Sequence, residues 1–277
     1  MKIRPSLFQS RLLIPLNTLI FFFFGMAAIV IFSASGPVPK QSVIAYKAGE
    51  EIRYRVHYGF FNAGEAIMRL TNQHYRVNNR ICFRAEVIGN STGAFDHIVR
   101  IRDVWGSYFD TIQFQPQKSF RNIQENNYRK KEETFFDYSR KKAKIVSENS
   151  QPQEVSVRDE VQDMVSGYYY LRLLKYNNLR KNDTIRLSGI FENKTYDFKI
   201  IYLGKEKIKT TFGKANAFVI SPIMPDNKLF SGRNPIKMWI SDDQNRIPLK
   251  IEAELLLGSL EMDIKQYQHL KYPIQFE

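Results

Sequence analysis

The stretch that decides the fold is KAGEEIRYRVHYGFFNAGEAIMRL, residues 47–70. In its first half, Ile52, Tyr54 and Val56 alternate with charged side chains, which is the period of a β-strand with one buried face. Gly64 follows in a short segment that favours a turn, because glycine tolerates positive φ angles. The apolar pattern then resumes, so the stretch predicts two antiparallel strands.

The same alternation continues to the end of the chain. The segment LKIEAELLLGSLEMDIKQY, residues 249–267, has apolar and charged residues in turn on either side of Gly258 and Ser259, which predicts another hairpin. One apolar face and one polar face is typical of antiparallel sheets, whereas strands of parallel sheets are apolar on both faces.

One segment departs from this pattern. In DEVQDMVSGYYYLRLLKYNN, residues 159–178, the apolar residues recur at the spacing of an amphipathic helix. Asp159 precedes them as a candidate N-cap, and Asn177 and Asn178 are candidates for the helix stop. The sequence therefore predicts a single helix in the middle of a β-rich chain.

These elements indicate a mainly β fold. We expect antiparallel strands in a strongly curved sheet, as a half-barrel, an open barrel or a sandwich, with one central amphipathic helix. A sheet with one apolar face must cover that face, and a curled sheet can do so around the helix. If side chains do not fill the interior, it becomes a ligand cavity.

The N-terminal residues predict export. Three basic residues precede an apolar run from Leu19 to Phe32, and small residues follow up to Ser35. We expect residues 1–35 to be a signal peptide, or an uncleaved N-terminal anchor, followed by a linker at 36–46 and a single β-rich domain at 47–277. The expected location is the periplasm or cell envelope.

The charge and the cysteine content limit the partners. The formal net charge is +13, which favours anionic partners, and export to the envelope makes nucleic acid an unsuitable one. The single cysteine, Cys82, does not follow the signal, so the chain lacks the cysteine that a bacterial lipoprotein requires. We expect a membrane-proximal protein whose partners are a lipid, a lipid-linked glycan or other envelope proteins.

Three stretches carry a family resemblance. GEEIRYRVHYGFFNAGEAIMRL, VQDMVSGYYYLRLL and KMWISDDQNRIPLKIEAELLLGSL occur in this order along the chain. Together they resemble the bacterial domain-of-unknown-function family 3108, whose members are exported envelope proteins of uncharacterised activity. The resemblance implies an exported, β-rich single domain and supplies no established catalytic or metal-binding residues.

The residues themselves predict no catalytic, metal or cofactor site. The four histidines are isolated, and the chain has no Cys-His cluster, phosphate-binding loop or nucleophile elbow. The candidate ligand-binding residues are instead the acid, aromatic and arginine side chains of the predicted helix and one strand aromatic. These are Asp163, Tyr168, Tyr169, Arg172 and Trp239.

Each candidate has a structural alternative. Asp163 is either a buried acid facing a cavity or a residue that hydrogen-bonds the helix to the sheet. Of the consecutive tyrosines, we expect at least one in the core and another at the rim of a cavity, while Arg172 suits a carboxylate on the sheet. Trp239 has the strand parity of Lys237, so we expect it on the more polar face as a contact surface.

Three functional classes follow. The first is non-enzymatic binding of an apolar or amphiphilic envelope ligand inside the curved sheet, and the second is a scaffolding module that binds envelope proteins. The second class predicts an exposed aromatic patch near Trp239. The third, a hydrolase with Asp163 as the first candidate acid, has the least support because the sequence lacks a catalytic constellation.

Overall fold

A computed structural model describes residues 44–148, 150–191, 193–223, 235–256 and 258–277. The predicted signal or anchor at 1–35 lies outside the described residues, as does most of the predicted linker. Ala45 and Tyr46, at the end of that linker, are buried in the main hydrophobic core. The folded unit therefore includes these two residues, which we had assigned to the linker.

In the part of the chain that the structure describes, sixteen strands form one sheet, and antiparallel pairing dominates because consecutive strands are joined by short turns. The strands are β1 Glu51–Tyr58, β2 Phe61–Leu70, β3 Tyr75–Val77, β4 Arg80–Ser91, β5 Arg102–Asp110, β6 Pro116–Glu125, β7 Tyr128–Asp137, β8 Lys142–Ser147, β9 Ser150–Ser156, β10 Val161–Gln162, β11 Thr184–Phe191, β12 Lys194–Thr210, β13 Gly213–Pro222, β14 Ile236–Ser241, β15 Pro248–Glu254 and β16 Ser259–Gln268. The predicted mainly β, antiparallel fold is thus confirmed.

The strand order makes β1 and β16, the first and last strands, neighbours in the sheet, so both edge strands come from the middle of the chain. The hydrogen-bonded path runs β10, β11 to β16, β1, β2, β4 and on to β9, with β3 paired to β4. Its terminal strands, β9 and β10, are consecutive in the sequence. Side-chain contacts join the end of β9 to β12, near the other edge: the Thr195 hydroxyl donates to the Ser156 carbonyl at 2.7 Å, and Arg158 pairs with Asp197. The sheet is therefore strongly curved but not closed by its backbone pairing.

The described residues contain two helices, α1, Phe95–Ile98, and α2, Met164–Leu171, and a 3₁₀ turn follows at Tyr176–Asn178. α2 lies inside the curve of the sheet, since it packs in one hydrophobic cluster with β2, β4, β5 and β16. It is the predicted central helix, but it begins later than expected because residues 161 and 162 pair with β11 as a short parallel strand.

The cap and the stop of α2 also differ from the prediction. Asp163, not Asp159, is the N-cap, and Arg172 is the C-cap. Asn177 and Asn178 lie in the 3₁₀ turn rather than at the end of the helix. Asp159 is exposed and lies before the short parallel strand, so it cannot reach the first turn of the helix.

Strand direction defines two ends of the curved sheet. The β1–β2, β4–β5, β6–β7 and β15–β16 connections lie at one end, which we call the upper end. The β2–β3, β5–β6 and β14–β15 connections lie at the opposite, lower end. α2 begins between these ends, near β5, and finishes at the lower end, where its C-cap contacts residues next to β1 and β15. No helix in the described ranges is long and apolar enough to cross a membrane.

Candidate functional site

A cavity of about 150 Å³ lies between α2 and the sheet. Its walls come from α2 and from both halves of the sheet, including Met68, Trp105, Met238 and Met262. The lining is predominantly apolar, because the strands turn their apolar faces inward. The cavity extends toward the upper end, where the first residue of β14 and the last residue of β13 contribute to its wall.

One wall depends on a glycine. Phe198 on β12 leans across Gly189 on β11, and both residues line the cavity. A Cβ atom at Gly189 would lie 2.1 Å from the Phe198 ring, which is far inside van der Waals contact. The absence of a side chain at residue 189 therefore lets the phenyl ring form part of the wall.

Asp163 lies at the cavity and fixes the start of α2. Its Oδ1 accepts hydrogen bonds from the backbone N–H groups of Val165 and Ser166 at 2.8 and 2.9 Å, and the Ser166 hydroxyl accepts from the Asp163 N–H at 3.0 Å. This reciprocal pair is a capping box. Its Oδ2 accepts from the Ser107 hydroxyl on β5 at 2.6 Å, which ties the helix to the sheet.

The environment of Asp163 has two opposing effects. Burial raises the pKa of Asp163 to about 6, and the hydrogen bonds from Ser107 and the helix N-terminus limit this rise. Both oxygens already accept hydrogen bonds from the protein. The geometry therefore unites the two predicted alternatives, since Asp163 is both a buried acid at a cavity and the bond between helix and sheet.

The consecutive tyrosines face different directions. Tyr168 lines the cavity, and its hydroxyl lies 3.0 Å from that of Tyr54, which donates to the Pro248 carbonyl at 2.9 Å. Tyr169 packs away from the cavity against Tyr46 and Phe109. Tyr168 thus remains a candidate for ligand contact, whereas Tyr169 is a core residue.

Arg172 does not line the cavity, and it joins the end of α2 to the lower end of the sheet. It is completely buried, and its guanidinium forms a two-pronged ion pair with Glu50, with the Nη2–Oε2 distance at 2.9 Å. Its Nε donates to the Asn245 carbonyl at 3.0 Å, and Nη2 also donates to the Ala45 carbonyl at 3.3 Å. Burial opposes the charge, but Glu50 more than compensates, so the pKa of Arg172 is raised. The carboxylate partner that we expected for this arginine is therefore Glu50, directly before β1.

Trp239 is not the exposed contact that its strand parity suggested. It does lie on the opposite face of β14 from Met238, but only 6% of it is exposed. Its indole N–H donates to Glu206 Oε2 at 2.8 Å, and Lys250 lies over its ring. The prediction of an exposed aromatic patch near Trp239 is therefore wrong. The long strand β12 brings Glu206 alongside this face and covers it.

The sequence interpretation missed a group of buried polar residues on β5 to β7. Arg121 and Glu132 are buried and form an ion pair, with Nε 2.8 Å from Oε1. Asp103 and Glu125 are also buried, and their carboxyl groups interact. Glu132 lies in the charge run YRKKEE, residues 128–133, whose composition is typical of a solvated hairpin edge. Strand parity was the available signal, because Arg121 shares a face with Ile123, and Glu132 shares one with Phe136.

The carboxyl pair has an unusual titration. Burial raises the pKa of Glu125 to about 8, with a further contribution from Asp103, and burial also raises the pKa of Asp103. Two buried carboxylates that interact in this way repel each other, so one of the two groups keeps its proton. Near neutral pH this pair therefore carries about one negative charge rather than two.

Comparison with protein families identifies the chain. A family model described as "Protein of unknown function (DUF3108)" matches residues 53–265. The chain belongs to this family. The match covers the β-structure from β1 to β16 and includes α2, and it confirms the resemblance seen in the sequence. No curated protein matches the chain.

A solved structure has a similar fold. It is the crystal structure of a beta-barrel-like protein of domain of unknown function DUF1849 from Brucella abortus. The similarity has a TM-score of 0.56 at 7% sequence identity and covers 82% of this chain and 100% of the other. At this identity the match shows the fold alone.

Proposed function

We propose that this DUF3108 protein is an exported cell-envelope protein that binds an apolar or amphiphilic ligand in the cavity beside α2, without catalysing a reaction on it. The observation that carries the proposal is the apolar cavity lined by both halves of the sheet and by the helix. Well-packed cores contain few voids larger than a water molecule, so an apolar cavity of this size costs stability unless something uses it.

The volume limits what the cavity holds. A dry cavity of about 150 Å³ is large enough for benzene, whereas sites for drug-sized ligands measure about 300–1,000 Å³. The cavity therefore suits one segment of an alkyl or isoprenoid chain, not a whole two-chain lipid. A lipid or a lipid-linked glycan would place the rest of its structure outside the cavity.

Exposed apolar residues at the upper end support a membrane-proximal location. Phe60, Phe61 and Leu256 are largely exposed at the tips of adjacent hairpins, and Ile98 is exposed on α1 nearby. Arg100 is also exposed at the upper end. Its backbone carbonyl accepts a hydrogen bond from the β6–β7 turn, which lies at that end. Apolar tips beside basic residues suit an anionic bilayer surface.

Co-sedimentation with anionic vesicles tests the bilayer contact. The paired change Phe60→Ser and Phe61→Ser should abolish binding to vesicles that contain phosphatidylglycerol, because it removes two largely exposed aromatic side chains from the upper end. Changing the exposed Ile112 to Ser at the lower end is the matched control. Equal sedimentation of both variants and the unchanged protein would contradict a role for the upper end.

Native mass spectrometry tests ligand binding directly. The full chain is expressed in a bacterial host, purified from the envelope under mild conditions and measured before and after organic extraction. We expect a stoichiometric lipid or isoprenoid that extraction removes. Ala253→Leu, which fills the cavity wall, should lose that mass, whereas Ala215→Leu alters a buried alanine that does not line the cavity and should keep it. Binding that Ala253→Leu leaves unchanged would place the ligand elsewhere.

The scaffolding alternative has a narrower basis. The terminal strand β9 is exposed and pairs on one side only, so it offers an edge to an added strand. Pro152 removes a backbone donor from that edge, and Glu154 adds a charge that pairs with Arg140. Such residues discourage strand addition. The cavity therefore supports ligand binding better than the edge supports a protein partner.

A further inference from the structure

A small polar pocket adjoins the apolar cavity. It measures about 40 Å³ and shares five lining residues with the cavity, among them Trp105, Asp163 and Met164, so the two are adjacent. We call it the arginine pocket, because Arg121 on β6 is the cationic side chain in its wall. Its other polar lining residues are Ser119, Glu132, Thr134 and Asp163.

Arg121 is a buried cation with incomplete hydrogen bonding. Only 5% of the residue is exposed. Its Nε lies 2.8 Å from Glu132 Oε1, but the N–H group does not point at that oxygen in hydrogen-bond geometry. Within the described part of the chain, no acceptor receives a hydrogen bond from its Nη1 or Nη2. A buried guanidinium in this state lacks partners that almost all buried polar groups have.

Aromatic rings hold the guanidinium in position. Its Cζ lies 5.4 Å from the centre of the Trp105 ring and 5.8 Å from that of Phe191. The two rings are nearly parallel, with 16° between their planes. Cation–π contacts stabilise a positive charge without satisfying its N–H donors. The terminal nitrogens therefore keep their capacity to bind an acceptor.

The counter-ion of Arg121 is shared with a second cation. Glu132 is the carboxylate beside Arg121, and the Lys130 ammonium also contacts it, with Nζ 3.1 Å from Oε2. Two cations thus share one anion. Burying a cation is costly unless its charge is paired and its donors are hydrogen-bonded, and the terminal nitrogens of Arg121 meet only the first condition.

We propose that the arginine pocket binds the oxyanion of an amphiphile, a carboxylate or a phosphate, while the attached chain occupies the adjoining apolar cavity. This inference rests on the proposed function, since it adds the head group to a ligand whose chain lies in that cavity. A planar guanidinium with two free terminal nitrogens can donate two parallel hydrogen bonds to an oxyanion. Ser119 and Thr134 line the same pocket and supply further hydroxyl donors.

Asp163 is the acid that stands against this assignment. It lines the arginine pocket as well as the cavity. Its oxygens accept hydrogen bonds from the N-terminus of α2 and from Ser107, and these donors stabilise its charge within the helix cap. The terminal nitrogens of Arg121 have no bond to Asp163, so an incoming oxyanion does not have to displace it.

Calorimetric titration of the full chain with matched probes tests the assignment. The probes are octanoate, 1-octanol and acetate, which separate the effect of the charge from that of the chain. We expect octanoate to bind at least 10-fold more tightly than 1-octanol, and acetate to bind at least 10-fold more weakly than octanoate. In Arg121→Gln the advantage of octanoate over 1-octanol should disappear while the affinity for 1-octanol stays the same.

Two further variants separate charge from geometry and from general surface effects. Arg121→Lys keeps the charge but loses the planar pair of donors, so it should retain only part of the octanoate advantage. Arg129→Gln removes an exposed arginine on the neighbouring strand and should change nothing. Near-ultraviolet circular dichroism confirms that each variant is folded before titration.

The outcomes distinguish the two proposals. Equal affinity for octanoate and 1-octanol would overturn the oxyanion assignment and leave chain binding intact. If acetate bound as tightly as octanoate, the pocket would be a site for small anions, and the assignment of an amphiphilic ligand would be overturned. No binding of either octyl probe would count against the proposed function itself, and the oxyanion assignment would fall with it.

Discussion

Two buried arginines in the same curved sheet have opposite surroundings. Arg172 at the lower end has a two-pronged carboxylate partner in Glu50 and donates two further hydrogen bonds to backbone carbonyls. Arg121, nearer the upper end, shares its carboxylate with a lysine and has no acceptor among the described residues for its terminal nitrogens. The first cluster is complete, and the second is not.

This difference separates a structural role from a binding role. The complete cluster ties the end of α2 to residue 50, before β1, and to the loop before β15, and so it joins the helix to the lower end of the sheet. The incomplete cluster adjoins the cavity, where a ligand can supply the missing acceptor. Functional sites commonly retain groups that reduce stability, because the ligand and not the fold satisfies them.

The largest expected effect comes from breaking the complete cluster. Arg172→Ala should lower the free energy of unfolding by about 3–5 kcal/mol, because it leaves Glu50 buried without a counter-ion. The measurement is urea-induced unfolding followed by tryptophan fluorescence. Replacing both partners, with Arg172→Met and Glu50→Leu, should recover more than half of the loss, since no uncompensated charge remains.

The control for this prediction is an exposed arginine. Arg129→Ala should change the free energy of unfolding by less than about 0.5 kcal/mol, as is usual for surface substitutions. A loss below about 1 kcal/mol in Arg172→Ala would show that the ion pair does not hold the lower end together.

The sequence predicted the complete cluster better than the incomplete one. Arg172 lies on a helix whose apolar spacing was evident, so a carboxylate partner on the sheet followed from the need to neutralise a buried charge. The identity of Glu50 did not follow, because the two residues are far apart in sequence and meet only when the sheet curls. The predicted start of the helix was wrong for the same reason, because the pairing of Val161 with Ser188 joins residues that are far apart in sequence.

Arg121 and Glu132 were missed because local patterns favour the opposite assignment. A run of charged residues in a strand is usually solvent-exposed, and YRKKEE has that composition. The strand is exposed on one face only, and its other face points into the curved sheet. Parity alone could have placed Glu132 on the face of Phe136, but it could not have shown that this face encloses a polar pocket.

A second, smaller effect is the pH dependence of stability that comes from buried carboxyl groups inside the sheet. Glu125 keeps its proton to about pH 8 in the folded protein, whereas its ordinary pKa is 4.5, so the folded state binds a proton that the unfolded chain releases. The contribution of this group is therefore greatest below about pH 4.5 and is lost as the pH rises to about 8. The Asp163 pKa of about 6 acts in the same direction over a lower pH range.

Glu125→Gln should remove much of this pH dependence. At pH 8.5 the variant should be about 1–3 kcal/mol more stable than the unchanged protein, because it no longer loses a proton from a buried carboxyl. Urea unfolding at a series of pH values provides the measurement, and Glu254→Gln on the surface is the control. Parallel profiles for the variant and the unchanged protein would show that Glu125 titrates normally.

The smallest expected effect completes the comparison of the arginines. Arg121→Met should change the free energy of unfolding by less than about 1 kcal/mol in either direction, although the residue is as deeply buried as many core side chains. The change removes an incompletely bonded cation, leaves Glu132 paired with Lys130, and keeps an aliphatic chain against Trp105 and Phe191. The measurement is the same urea unfolding, so the two arginines are compared on one scale.

A large loss in Arg121→Met, close to that expected for Arg172→Ala, would mean that the upper cluster stabilises the fold as the lower one does. The missing hydrogen bonds would then have acceptors within the protein, and the arginine pocket would have no need of a ligand. A small change, together with a loss of octanoate binding in Arg121→Gln, would instead separate the two clusters by role. Arg172 would be required for the fold, and Arg121 for what the fold binds.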